Sequence, residues 1–221
     1  MRKYQFPGGS DIFSAITEED QQKFFSLQGR RRCENEFWAY DTTTLSSYSE
    51  TLKQVQYRFN TEHDRLPQLN LTLVFGEESD LPFCYRKVAG NIPDSKTVSR
   101  LLEDLNILGY SKVKLAMDRG FFSESNVNDL YKNHMKFLIS VKMSLVFIRK
   151  GLDPIYDHLQ DFENYNDKYG LYCKTFRTVC YYLQERPYKG ETIREERRTL
   201  CSLIFTVSRE QLKIRWFLTE S

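Results

Sequence analysis

The chain has 221 residues, 40% of them hydrophobic and 14% aromatic, enough to bury a core for one ordinary domain with an appendage or for two small domains. With 32 Lys and Arg against 30 Asp and Glu, the net charge of +2 excludes a nucleic-acid binder that works by bulk charge alone. Five scattered cysteines without a C-x-x-C pair argue against a zinc knuckle and fit reduced intracellular thiols, and no apolar run reaches the roughly eighteen residues of a membrane span.

The segment "ITEEDQQKFFSLQG" predicts a short helix from Ile16 to Leu27 that ends near Gly29, and the basic cluster Arg30, Arg31 and Arg32 reads as a solvated loop. "EFWAYDTTTLSS" predicts a strand with Phe37, Ala39 and Asp41 on one face, and residues 48 to 66 a polar connection or extended edge. In "QLNLTLVFG", Leu69, Leu71, Leu73 and Phe75 alternate; with the turn "GEESDLP" and the return "FCYRKVAG" this is an antiparallel hairpin over 68 to 90. A helix comes next, opened by Pro93 and Asp94, carried by Val98, Leu101, Leu102 and Leu105, and stopped at Gly109.

Residues 112 to 118 predict a buried strand that closes on an acid, Asp118, with Gly120 permitting a sharp exit into the next helix. Ser123 caps that helix, which has Val127, Leu130, Tyr131 and His134 on its apolar face, and "KFLISVK" is a further strand. Strand, helix, strand in that order implies a parallel crossover, so the sheet is mixed. From about Lys150 the chain turns rich in tyrosine and charge, predicting strand-like pieces near 171 to 184 and a charged helix near 191 to 204. Three segments result: a helical lead-in over 1–35, an α/β core over 36–149 and a further segment over 150–221.

Two carboxylates draw attention, each at the end of a predicted strand. If the strands of Asp41 and Asp118 lie side by side, the two acids meet at one sheet edge, where they repel unless a cation sits between them or one keeps its proton. Hard divalent ions take oxygen ligands, and Mg2+ is commonly held by one or two carboxylates with phosphate oxygens. A pair of such ions suits phosphoryl transfer. The alternative is that both acids cap strand ends and face water. No paired histidine motif accompanies Ser46 and Ser47, so an acyl-transfer triad is not indicated.

The stretches "YDTTTL" (40–45), "LPQLNLTLVFGEESDLPFCYRKVAGNIPDSKT" (66–97) and "AMDRGFFSESNVNDLYKNHMKFLISVK" (116–142) together resemble insertion-sequence transposases of the DDE class, in the branch whose second aspartate lies in D-R-G-F. The resemblance covers roughly 36 to 142. It implies an α/β, RNase H-like mixed sheet flanked by helices, with an α+β insertion segment after the core. It also implies Asp41 and Asp118 as catalytic acids that bind two Mg2+ ions (or Mn2+), DNA hydrolysis at a transposon end, and joining of the freed 3' hydroxyl to target DNA. Arg119, Lys142, Arg86 and Lys87 are the expected phosphate contacts. A homodimer of the full-length, DNA-bound protein and a cytoplasmic, nucleoid-associated prokaryotic setting are implied by the same resemblance.

In these transposases a third acid belongs to a Y-x2-R-x3-E-x6-K pattern, which this sequence lacks. Tyr188 is followed by Glu191 where arginine is required, and Tyr181 and Tyr182 by Gln184 and Glu185. Glu195, Glu196 and Glu210 qualify only by residue type. The expectation is a chain truncated before the catalytic glutamate. Two other functions stay open: a nuclease of the same fold that hydrolyses without strand transfer, and an inactive remnant that binds DNA or nothing. His63 reads as a solvated loop residue, His134 as core, and Tyr181, Tyr182, Tyr188 and Trp216 as core or as platforms for exposed bases.

Overall fold

The computed structural model describes residues 14–47, 55–56, 67–110, 112–142, 144–188, 191–208 and 214–220. Four α-helices are present among them: α1 (Glu18–Gly29), α2 (Val98–Ile107), α3 (Glu124–Lys132) and α4 (Val146–Leu152). Nine strands form one sheet: β1 (Phe37–Ser46), β2 (Gln68–Gly76), β3 (Pro82–Ala89), β4 (Lys114–Met117), β5 (Lys136–Ser140), β6 (Tyr165–Asn166), β7 (Leu171–Tyr188), β8 (Glu191–Ser208) and β9 (Ile214–Glu220). Their order across the sheet is β3-β2-β1-β4-β5-β9-β8-β7-β6.

The first five strands make an RNase H-like mixed sheet flanked by helices. β1, β2 and β3 run as an antiparallel meander, and β4 and β5 add in parallel on the other side of β1. The helices α2 and α3 are the crossovers that parallel pairing requires. Alternation along each strand sorts the side chains into two layers. On the helix side, Trp38, Tyr40, Val74, Leu115, Met117, Phe137 and Ile139 are buried against Val98, Leu101 and Leu105 of α2 and Leu130 and Tyr131 of α3. On the outer side, Phe37, Ala39, Leu71, Leu73, Phe75, Ala116 and Leu138 stay only half-buried.

Aromatic contacts fasten the helix side. Trp38 stacks on Phe83 with ring centroids 4.0 Å apart and meets Tyr110 edge-on at 5.0 Å. The edge strand β3 is bordered by α1, whose Phe25 meets Tyr85 at 5.2 Å while the Tyr110 hydroxyl donates to the Phe25 carbonyl. Ser123 is the cap that the sequence suggests, and α1 has one that it does not. Thr17 and Asp20 form a capping box on α1, and Ser123 accepts from the Asn126 N–H at the start of α3. Gly109 ends α2 at φ +73°, a left-handed conformation that glycine adopts without a steric penalty.

Several expectations are corrected. Residues 191 to 204 are not a charged helix; they belong to β8, which pairs with β7 from Leu171↔Ser208 to Tyr188↔Glu191. A period of two is the reason: Cys201, Leu203, Phe205 and Val207 alternate and are all buried, so strand pairing overrides the charged "REERR" stretch. β9 pairs with both β8 and β5, which joins the segment after residue 150 to the core sheet edge to edge. His134 is not in the core. α3 ends at Lys132, and His134 lies in the turn beyond it at φ 52°, exposed. The thiols are not all reduced, because Cys180 and Cys201 form a disulfide; Cys33, Cys84 and Cys173 are free. No described helix is long and apolar enough to cross a membrane.

Candidate active site

β1 and β4 run parallel with Phe37↔Lys114, Trp38↔Leu115, Ala39↔Ala116 and Tyr40↔Met117 as partners. One step further along the same register brings Asp41 level with Asp118. Tyr40 and Met117 point into the helix side, so alternation turns Asp41 and Asp118 toward the outer side, and both are exposed. Adjacent strands are about 4.8 Å apart, which puts two carboxylates side by side on neighbouring strands. Among the described residues no cationic side chain pairs with either acid.

A 3-10 turn, Arg119–Phe121, holds Asp118 in place. The Asp118 carboxylate accepts the Arg119 N–H and caps this turn. Phe121 is 1% exposed and packs on Tyr40, ring centroids 4.8 Å apart. Asn126 donates to the Phe121 carbonyl at 2.7 Å and to the Ser95 carbonyl at 2.8 Å, tying the turn to a second one, Asp94–Lys96. The expectation that Gly120 serves a sharp exit by its backbone freedom is corrected, because its φ is not in the left-handed region. Closeness explains the glycine instead, since a Cβ at Gly120 would come within 2.9 Å of Asp94 Oδ2. Asp94 is thus a carboxylate beside the Asp118 turn that the sequence pattern presents only as a helix start.

Of the four expected phosphate contacts, Arg119, Lys142 and Lys87 are exposed, and Lys87 pairs with Leu71 on the outer side of the sheet. Arg86 is corrected. It pairs with Thr72 on the helix side, and its guanidinium is engaged by Asp104 of α2, Nε to Oδ2 at 2.6 Å. That carboxylate raises the Arg86 pKa above its ordinary value and takes its Nε and Nη2 donors.

Of the third-acid candidates, Glu195 and Glu196 do not join the pair. Ala39, Ala116, Leu138, Thr219 and Ser202 form one row across the sheet, and Glu195 and Glu196 lie back along β8 toward the edge opposite Asp41, roughly 20 Å below that row. Glu195 is ion-paired to Arg197 at 2.8 Å. Glu210 and His63 lie outside the described residues. Among the described residues no group of three or more His, Cys, Asp or Glu could hold a metal ion. His158 is exposed and bonds to Asp161 at 3.0 Å. Tyr182 stacks on Tyr131 at 5.4 Å, whereas Tyr181 is exposed.

At the opposite end of β1, Glu36 is buried. Burial alone would raise its pKa, but the N–H groups of Ser79 (2.9 Å), Cys33 (3.0 Å) and Glu78 (3.3 Å) outweigh it and hold the carboxyl below its ordinary value. This carboxylate is structural, because its donors are backbone groups of the turn before β1 (Cys33) and of the β2–β3 hairpin turn (Glu78 and Ser79) that it ties together.

A family model of the transposase DDE domain matches residues 32–213. No curated protein matches the sequence. Similar solved structures include a piggyBac transposase synaptic complex with hairpin DNA, 12% identical with a TM-score of 0.48, where the match covers 95% of this chain and 38% of that one. Ciona intestinalis endonuclease V in complex with an inosine-containing DNA is 14% identical with a TM-score of 0.34, the match covering 93% and 84%. The chain therefore spans well under half the length of that transposase.

Proposed function

The chain belongs to the transposase DDE domain family, and we propose that it serves as the catalytic core of a DNA transposase in which Asp41 and Asp118 bind divalent metal ions and direct phosphodiester cleavage. The supporting observation is the parallel register that brings these two exposed acids level on neighbouring strands. In this reading residues 36–149 are the core and 150–221 the insertion.

The donor set fits a hard cation. Two exposed carboxylates, with no cationic side-chain partner among the described residues, offer the ligands that Mg2+ or Mn2+ prefers, with water and DNA phosphate oxygens to complete the shell. Such ions supply activation of a water or 3' hydroxyl and stabilisation of the leaving oxygen. Asp41 and Asp118 hold the charge at the sheet edge, and the turn after Asp118 fixes its direction. Exposed Arg119, Lys142 and Lys87 provide phosphate contacts that position DNA without reading its sequence. Joining of the cut 3' end to target DNA, and a homodimer on DNA, belong to the same proposal.

Mn2+ titration by calorimetry, with strand cleavage of a duplex spanning the DNA that flanks the reading frame, tests it. Asp41→Asn and Asp118→Asn each abolish Mn2+ binding and metal-dependent cleavage. Equal binding and cleavage in both variants would remove the assignment. A second reading, a DNA-binding chain without catalysis, draws on the described residues holding two acids but no cluster of three. DNA retention without Mn2+ uptake by the native protein selects it, and a supplied target duplex separates transposase from simple nuclease, which never joins ends.

A further inference from the structure

Beyond the residues that β9 reaches, β7 and β8 continue alone. β8 pairs with β9 only from Cys201↔Glu220 to Val207↔Ile214, and β7 pairs with β6 only at Leu171 and Tyr172. From Val179↔Leu200 to Tyr188↔Glu191 the two strands therefore form a two-stranded ribbon that projects past the sheet on the edge opposite Asp41. Two strands alone are marginally stable in water. This ribbon adds little to hold itself: Tyr181, Leu183 and Leu200 are exposed, and its ion pairs, Arg194 with Glu185 and Arg197 with Glu195, are at the surface. Contacts that reach α3 include the Tyr182–Tyr131 stack and the Leu183 N–H donating to Asn128 Oδ1.

The disulfide sits at the root of this ribbon. Cys180 is opposite Thr199 and Cys201 opposite Thr178, so the two cysteines are diagonal neighbours on one face, Cα atoms 6.0 Å apart, at the row where pairing with β9 stops. Their bond closes the loop that contains the whole projecting ribbon, which restricts its open forms. Cys201 is fully buried and Cys180 half-buried, so the two sulfurs differ in access. Cys173, the other cysteine on β7, is opposite Thr206 and faces the other side.

We propose that Cys180 and Cys201 are a reversible thiol–disulfide switch that locks the β7–β8 ribbon in register when oxidised and releases it when reduced. A low-molecular-weight thiolate attacks the more accessible Cys180 sulfur, forms a mixed disulfide there, and expels Cys201 as a thiolate that takes up a proton. A second thiol then attacks the mixed disulfide, leaving the small-molecule disulfide and the free Cys180 thiol. Oxidation is the reverse, with a small-molecule disulfide such as oxidised glutathione accepting the two electrons. The switch does not depend on the proposed catalytic role.

The test uses the full chain equilibrated with oxidised or reduced glutathione, alkylation with peptide mapping, and amide hydrogen exchange. After unfolding and alkylation, the sample from oxidised glutathione gives a Cys180–Cys201 cross-linked peptide, with Cys33, Cys84 and Cys173 recovered as alkylated or glutathione-bound cysteines outside any protein disulfide. Reduction speeds exchange across 181–200 about tenfold or more while 114–117 and 136–140 are unchanged. Cys180→Ser shows the fast rate in both buffers. Absence of the cross-link, a link to Cys173 instead, or equal exchange in the two buffers overturns the proposal. The native comparison alone decides it should the variant fail to fold.

Discussion

Phe121 packs against Tyr40 with ring centroids 4.8 Å apart, and this one contact joins the residue before Asp41 to the turn after Asp118. The sheet register levels the two acids, while this aromatic pair fixes the chain as it leaves β4. Phe121→Leu removes ring area from a site that is 1% exposed, at a cost of about 1–2 kcal/mol in urea unfolding. The expected signature is loss of stability together with weaker Mn2+ binding. Asp118→Asn weakens binding with stability kept. Phe121→Leu with native Mn2+ affinity would show that the turn does not orient Asp118.

Lys87, Lys142 and Arg119 are exposed, whereas Arg86 is engaged by Asp104. Lys87→Ala, Lys142→Ala and Arg119→Ala are each expected to weaken DNA binding across all sequences and to lower the slope of log affinity against log salt by about one. Arg86→Ala leaves the slope unchanged and instead lowers stability, because among the described residues Asp104 then keeps the more distant Arg100, 3.8 Å away. Solvent screening at this partly exposed pair limits the loss to about 1 kcal/mol. Fluorescence anisotropy at three salt concentrations, with urea melts, separates the two classes.

Glu36 carries a pH-dependent part of the stability. Its folded pKa is below the ordinary glutamate value of 4.5, so its contribution is complete above that pH and is lost as pH falls through the lower folded value. Glu36→Gln offers a single carbonyl oxygen to the N–H groups of Ser79, Cys33 and Glu78, and sets an amide N–H2 against donors on the other side. The expected loss is about 1–2 kcal/mol at pH 7. The gap between native and variant narrows as pH drops below about 4 in parallel urea titrations. A gap that is constant with pH would mean that the carboxylate charge is not what these donors hold.

Where the sequence was legible, a local pattern carried the information. Alternation in β1 and β4 separated the buried Trp38, Tyr40 and Leu115 from the outer-side acids, and Ser123 announced the start of α3, whereas in β2 the alternating Leu71, Leu73 and Phe75 turn to the half-buried outer side and Asn70 and Thr72 are buried. The features that stayed hidden depend on partners distant in the chain. "REERR" looks helical until β7 is laid beside it, and the spacing of Cys180 and Cys201 says nothing until the register makes them diagonal. Arg86 looks free until α2 brings Asp104 to it. His134 continues a helical face on paper, but the helix ends two residues earlier and the face ends with it.

Gly120 gives the sharpest local test, because its backbone does not demand glycine. Replacing glycine by alanine at an ordinary φ stabilises by about 0.4–1 kcal/mol through the unfolded chain. Here that gain is opposed by Asp94 Oδ2, 2.9 Å from the added methyl. Asp94 Oδ2 is the end of a short side chain, so relieving the contact takes a change of its rotamer, at a cost of about 0.5–1.5 kcal/mol that cancels a gain of that size. Gly120→Ala is therefore expected to be neutral or destabilising in the native background and stabilising in Asp94→Ala, a positive coupling in a double-mutant cycle read by urea unfolding. Equal effects in the two backgrounds would show that Asp94 does not press on the Asp118 turn.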